Sequence, residues 1–231
     1  MNRPWLPALI LVLTEGQLAV AEFVPGIERF EGKAFGARLV AYPLLMLAVP
    51  VLWWCLRGRK VGTEPVPWLA FALVMLPFLI DVSGNSLDLY DTVVWWDDAN
   101  HFVNWIPLNL GIGLLVAGDL PRAWQKVVLV AGIGALLAIG WELGEWWTFI
   151  RHGTELATAY EDTLGDEALG SLGAVVAGVL TVVLTREGVF STIQWGFVPG
   201  PGGRSPHSKV RKTPVEGAET PTRRRRDAAT R

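Results

Sequence analysis

Six apolar segments fill most of the first 190 residues of the chain. A helix that crosses a bilayer needs about 20 consecutive, mostly apolar residues, because the hydrocarbon core is about 30 Å thick. Hydrophobic residues make up 51% of the chain and charged residues 18%, a balance that is unusual for a soluble domain. The sequence therefore predicts an all-α fold, a polytopic transmembrane helix bundle of about six spanning helices. The segments are Pro4–Phe23, Phe35–Leu56, Val66–Ile80, Ala99–Ala117, Trp124–Trp147 and Leu169–Leu184.

Two of these segments are less regular than the others. The third is short and contains Pro77, and the first carries Glu15 and Gln17. The first also resembles a secretory signal, because Arg3 precedes an apolar stretch that ends in the small residues Ala19–Ala21. Retention and cleavage of this segment are both compatible with the sequence, and the remaining helices keep their arrangement in either case.

Lys and Arg in the short loops predict the orientation, because cytoplasmic loops of membrane proteins carry an excess of these residues. The second predicted loop has three basic residues within Arg57–Lys60, and the fourth has Arg122 and Lys126. The third predicted loop, Asp81–Asp98, has none. This distribution places both termini in the cytoplasm and the chain in a bacterial inner membrane as a multi-pass protein, in contact with the lipid bilayer.

Residues 191–231 differ in composition from the membrane domain of residues 1–190. They are rich in Pro, Gly, Ser, Thr and Arg, which predicts a disordered cytoplasmic tail. The run Arg223–Arg226 suits anionic lipid head groups, although a basic tail also serves as a simple topology anchor. Nucleic-acid binding is not predicted, since the sequence has neither a known reader motif nor interleaved aromatic residues. The oligomeric state is not specified by any pattern.

Three short polar stretches lie at predicted helix ends: Asp97–Phe102, Trp141–Trp146 and Tyr160–Asp166. Residues three or four apart share one face of a helix. Since successive helices alternate in direction, all three stretches are predicted to reach the extracytoplasmic face. Their candidate metal ligands are Asp97, His101, Glu142, Glu145, Asp162 and Asp166.

The first interpretation of this acidic site is that it binds a divalent metal cation. Carboxylates near a helix centre cost about 2.5 to 3.5 kcal/mol on insertion scales. Few basic residues lie nearby to offset them, and Arg38, Arg151 and a protonated His101 are the clear candidates. A hard divalent cation among carboxylate oxygens, with His101 as nitrogen ligand, would balance the charge. Such an ion can activate water or polarise a phosphoryl oxygen, so that Glu142, Glu145 and His101 become the candidate catalytic residues. The site then belongs to a metal-dependent enzyme that acts on a lipid or envelope precursor.

Two alternatives remain open. Glu142 or Glu145 can carry protons in a proton-coupled transporter, although no internal repeat supports that class. The aspartates can also be ordinary helix caps of a non-catalytic scaffold or resistance accessory protein. Glu142 and Glu145 fit this last interpretation poorly, because the helix dipole disfavours acids at a C-terminal end.

Other features of the sequence are given no catalytic or metal-binding role. The single cysteine, Cys55, excludes an internal disulfide and a cysteine-based zinc site. Asp81, Asp88 and Asp91 are predicted to lie in a solvated external loop. Asn100 and Asn104 are expected to hydrogen-bond between helices. No phosphate-binding glycine loop or nucleophile elbow is present.

The polar motifs resemble those of YjdF-like membrane proteins and, more distantly, of VanZ-like proteins. They are an acid four residues before a His-Phe pair, then Trp-Glu-x-x-Glu-Trp, then Tyr-x-Asp-Thr-x-x-Asp before a helix rich in Gly and Ala. The likeness runs from Trp96 to Gly178, and Asp98 departs from it, since a basic or apolar residue is common there. It implies no specific activity, but the link of VanZ-like proteins to glycopeptide-antibiotic resistance implies an envelope-related role.

Overall fold

The computed structural model of the chain describes residues 3–57, 66–117, 120–148, 150–152 and 157–186. Within these ranges all regular secondary structure is helical, which confirms the predicted fold class. The predicted tail, 191–231, lies outside the described residues. The helices are α1 (Trp5–Phe23), α2 (Phe35–Arg57), α3 (Trp68–Ser86), α4 (Leu89–Thr92), α5 (Trp96–Val116), α6 (Ala123–Thr148) and α7 (Ala159–Leu184), with 3-10 turns at Glu28–Phe30 and Ile150–His152.

Five of these helices are long and apolar enough to cross a membrane, namely α1, α2, α3, α6 and α7. Their outer surfaces carry large apolar side chains such as Leu44 and Leu136, which are 67% and 71% exposed. Apolar surface on this scale is what a bilayer covers, so the protein is a multi-pass membrane protein in contact with lipid. The fourth predicted span corresponds to α5. This helix is not among the five, because polar residues in its first turns, such as Asp97 and Asn100, lower its hydropathy.

The most extensive contacts between helices in the described chain are those of α7 with α5 and α6. Small residues make these contacts possible, since a Cβ on Gly134 of α6 would lie only 2.2 Å from the Cβ of Ala174 of α7. A Cβ on Gly173 would lie 2.6 Å from the backbone oxygen of Phe102. These small residues allow α7 to approach α5 and α6 closely.

Helix α3 links this trio to α1 and α2, because it packs against α1 on one side and α5 on the other. The helix continues six residues past the predicted end at Ile80, so Asp81 lies within it. Lys126, which was counted with the fourth loop, lies in α6, in agreement with the bounds of the predicted segment Trp124–Trp147. Lys126 is buried in α6 and donates a hydrogen bond to Thr185 Oγ1 at the end of α7 (2.7 Å).

Candidate functional site

His101 is the centre of the polar cluster. It lies in the second turn of α5 and is only 9% exposed. Its Nε2 is 3.8 Å from Asp97 Oδ1 and 3.7 Å from Asp166 Oδ2. Its Nδ1 is 3.8 Å from Glu142 Oε1. Carboxylates from three helices thus approach both ring nitrogens, and none is within hydrogen-bond distance.

The local sequence explains how each side chain reaches this point. Asp97 and His101 are four residues apart on α5, and Glu142 and Glu145 are three apart in the last two turns of α6. Asp166 lies in the second turn of α7, whose start packs beside the start of α5. Three helix ends therefore converge, as the alternation of helix direction predicts.

The structure brings five of the six predicted residues into two groups that share His101. Asp97, His101 and Asp166 form one, and His101, Glu142 and Glu145 form the other. Within each group the candidate ligand atoms lie within 4.8 Å of one another. The sixth, Asp162, is exposed in the first turn of α7 and belongs to neither group.

Two carboxylates of the cluster are deeply buried: Glu142 is 5% exposed and Asp166 is 3% exposed. Neither forms an ion pair with Lys or Arg in the part of the chain that the structure describes. Arg151, a predicted partner, lies instead 3.5 Å from the centre of the Trp147 ring. Buried charges without a basic partner are costly, so a cation or protons must balance these carboxylates.

The other predicted basic partner, Arg38, forms an ion pair with Asp81. The sequence interpretation missed this role of Asp81. Asp81 is not a solvated loop residue, because its side chain is only 17% exposed in α3. Its Oδ2 accepts hydrogen bonds from Arg38 Nη1 (3.2 Å) and the Tyr42 hydroxyl (2.6 Å). Its Oδ1 accepts one from the Tyr90 hydroxyl (2.7 Å). The Arg38–Tyr42 pair, four residues apart at the start of an apolar helix, is the one sequence signal for such a partner.

A chain of hydrogen bonds runs from Asp81 toward His101. Burial and the neighbouring Asp81 raise the pKa of Tyr90, so its hydroxyl stays protonated and donates to Asp81. Asn100 Nδ2 donates to the Tyr90 oxygen, and Asn104 Nδ2 donates to Asn100 Oδ1 (2.7 Å). The Asn100–Tyr90 bond joins α5 to α4, while the Asn104–Asn100 bond stays within α5.

The end of this chain adjoins a cavity of about 90 Å³ between α2, α3, α5 and α6. That volume holds several water molecules or one small polar group. Its lining combines polar side chains, including Asp81, His101, Asn104 and Glu145, with aromatic rings that include Phe78, Trp105 and Trp141. The cavity therefore opens beside the acidic cluster and shares two of its residues.

The donor set of the cluster fits a divalent metal ion. Two ligands that bind one ion at about 2.1 Å with tetrahedral angles lie about 3.4 Å apart. The observed 3.7 to 3.8 Å separations around His101 need only a few tenths of an ångström of contraction. Imidazole nitrogen with carboxylate oxygen suits zinc, manganese or iron better than magnesium or calcium.

Comparison with known proteins gives one family. A family described as "Predicted membrane protein (DUF2238)" matches residues 10–187, a range that includes every residue of the cluster. No curated protein matches the chain, and no solved structure does. The comparisons name neither YjdF-like nor VanZ-like proteins, so that resemblance stays a prediction from the motifs.

Proposed function

We propose that this chain, which belongs to the DUF2238 family of predicted membrane proteins, is a metal-dependent enzyme of the bacterial inner membrane. One observation carries the proposal. The imidazole of His101 is nine-tenths buried, with carboxylates 3.7 to 3.8 Å from both of its nitrogens and a hydrogen bond to none of them. An ion bound to one nitrogen would let the other donate to a carboxylate, the arrangement that orients metal-bound histidines.

The geometry favours the Nε2 side for the ion. A neutral imidazole binds a metal through one nitrogen only, so the two groups are alternative positions for the first ion. Asp97 is 51% exposed on its side chain, whereas Glu142 on the other side is buried. Ligation by His101 Nε2, Asp97 and Asp166 leaves an open position toward solvent, which is typical of catalytic metal sites. Glu142 then accepts the hydrogen bond from Nδ1 and orients the ring.

We assign the general base to Glu145, the carboxylate of the two groups that this arrangement leaves without another role. It lines the cavity and lies in one group with His101 and Glu142. An ion at Asp97, His101 and Asp166 would polarise a phosphoryl or acyl oxygen, and Glu145 would take the proton of the attacking water. With the centre at the extracytoplasmic membrane surface, the substrate is a lipid or an envelope precursor.

Metal analysis of the purified protein tests the proposal. After incubation with zinc, manganese or iron salts and removal of free ion, we expect about one retained ion per chain. We expect His101→Ala and Asp166→Asn to abolish retention of the ion. Glu142→Gln should weaken the affinity for the ion by roughly 10- to 100-fold, because the His101 imidazole is then oriented less firmly. Asp98→Asn is the matched control, since Asp98 is the exposed neighbour of Asp97 and belongs to neither group.

Retention of no divalent ion by the wild-type protein, or full retention by His101→Ala, contradicts the metal site. The proton-coupled transporter and the scaffold then become the better explanations. Loss of proton-driven transport in Glu142→Gln supports the transporter, and unchanged fold and phenotype in that variant support the scaffold.

A further inference from the structure

The cavity beside the acidic cluster changes from polar to apolar along the helices that line it. On each of three helices the polar lining residue is nearer the acidic end and an apolar one lies one or two turns deeper: Asp81 and Pro77 on α3, His101 and Leu108 on α5, and Glu145 and Trp141 on α6. With a rise of about 1.5 Å per residue, the apolar residues lie about 6 to 10 Å further into the membrane. A membrane lipid has the same order, with its head group at the surface and its chain below.

The helices around the cavity leave a gap on the side of the bilayer. In the described part of the chain, α6 packs against α5 and α7 and makes at most slight contact with α2 and α3. The Trp141 side chain spans this gap, since it packs against the hydrophobic cluster that α1, α2 and α3 form. On either side of the gap, α2 and α6 carry exposed apolar side chains, among them Leu44 and Leu136. Because both helices face lipid, the gap between them connects the cavity with the hydrocarbon region of the bilayer.

The chemistry of the deeper lining favours a hydrocarbon occupant. Most of the cavity surface is apolar, and Phe78 and Leu108 are only partly buried there. A water molecule needs two to four polar partners, and these side chains offer none. An empty apolar space forfeits the dispersion contacts of the atoms that line it. A chain that enters from the surrounding lipid restores those contacts without leaving an apolar environment.

We propose that the cavity receives the part of a lipid chain next to the head group, and that the lipid enters sideways from the bilayer leaflet at the acidic end, through the gap between α2 and α6. The inference rests on the proposed function and deepens it, because the substrate becomes a bilayer lipid and not a soluble envelope precursor. The volume of about 90 Å³ admits a short stretch of chain, and the rest of the chain stays in the bilayer. The head group then lies beside His101.

Photo-crosslinking in nanodiscs of phosphatidylglycerol tests this entry path. Two phosphatidylglycerol probes are each added in trace amount, one with a diazirine next to the ester carbonyl and one with a diazirine at the end of the same chain. Illumination attaches the probe to neighbouring side chains, and mass spectrometry of peptides locates the attachment. We expect the probe with the diazirine near the carbonyl to label Phe78 and Leu108, and the other probe to label them several times less.

Substitutions at Leu108 assign the labelling to the cavity. Leu108→Trp fills the apolar end, so labelling of Phe78 should fall by roughly tenfold, because a chain forced into filled space meets the cost of overpacking. Leu108→Phe adds less volume and should act in the same direction where Leu108→Trp folds poorly. Val103→Trp is the matched control, since Val103 is exposed on α5 outside the cavity lining and should leave the labelling of Phe78 unchanged.

Two results overturn lateral entry. One is labelling of the exposed Val103 without labelling of Phe78 or Leu108 in the wild-type protein. The other is unchanged labelling of Phe78 in a folded Leu108→Trp or Leu108→Phe variant. If the protein retains its divalent ion in either case, the proposed metal site stands and its substrate is a soluble precursor. Labelling that the Leu108 variants suppress, in protein that retains no metal, supports the lipid site and overturns the metal-dependent enzyme.

Discussion

At the scale of single residues, Asp81 and Asp166 show how two buried aspartates differ. Asp81 receives hydrogen bonds from Arg38, Tyr42 and Tyr90, so its charge is compensated within the protein. Asp166 has His101 at 3.7 Å and a second acid, Asp97, beside it, but no Lys or Arg partner in the described chain. A compensated carboxylate holds helices together, whereas an uncompensated one requires an ion or a proton from outside. This contrast is the reason that we assign Asp81 to the structure of the bundle and Asp166 to the proposed metal site.

Removal of the Asp81 carboxylate should destabilise the bundle and leave the proposed metal site in place. In Asp81→Ala the guanidinium of Arg38, whose side chain is 19% exposed, loses its partner. We expect a loss of about 3 kcal/mol, or a melting temperature lower by roughly 6 to 12 °C. Thermal unfolding in detergent measures this, with Asp98→Ala as the exposed control that shifts little. An unchanged melting temperature in Asp81→Ala would show that Asp81 does not hold α2 and α3 together.

The same residues show what the sequence could and could not predict. Glu142 was recognisable because apolar neighbours and a helix C-terminal end leave a carboxylate few ordinary explanations. Asp81 was not, because it follows an apolar segment directly and its partners lie on other helices. Arg38 and Tyr42 are about 40 positions away in sequence, and no local pattern pairs them with Asp81.

At the scale of elements, hydropathy identifies the part of a helix that faces lipid and misses its polar extension. The predicted last segment begins at Leu169, but α7 begins at Ala159. The additional turns carry Asp162 and Asp166, and Asp166 is shielded by α5. Helix α5 has the same property, since it begins three residues before the predicted segment and its early polar residues Asn100 and His101 are buried. The polar extensions that hydropathy misses therefore supply two acids of the cluster, Asp97 and Asp166, whereas His101, Glu142 and Glu145 lie within the predicted segments.

Two glycines of α6 provide a matched test of the packing between α6 and α7. Gly134→Ala would place a Cβ 2.2 Å from the Cβ of Ala174, so the helices must separate, at a cost of about 1 to 3 kcal/mol. Gly132 has no atom within 4 Å of such a Cβ, and Gly132→Ala should be neutral or stabilising by up to about 1 kcal/mol. Melting temperatures of the two variants should move in opposite directions. Equal shifts would contradict the packing.

At the scale of the whole molecule, the two ends of the bundle differ in charge. His101 and its carboxylates lie where α5 and α7 begin and α6 ends. The buried Lys126 lies at the opposite end, where α6 begins and α7 ends. Basic residues mark the cytoplasmic end of membrane helices. The acidic end, with the proposed metal site and the cavity, should therefore face away from the cytoplasm.

Cysteine labelling in spheroplasts tests this orientation with one native and one introduced thiol. Cys55, the single cysteine, is exposed near the end of α2 that is remote from Asp81, so a membrane-impermeant maleimide should leave it unlabelled. Glu161→Cys in a Cys55→Ser background places the thiol in the exposed first turn of α7, beside the cluster, and should be labelled. Inverted vesicles should give the opposite pattern. Labelling of Cys55 but not of Glu161→Cys in spheroplasts would place the acidic cluster on the cytoplasmic face, and the substrate of the proposed metal site would then be cytoplasmic or in the inner leaflet.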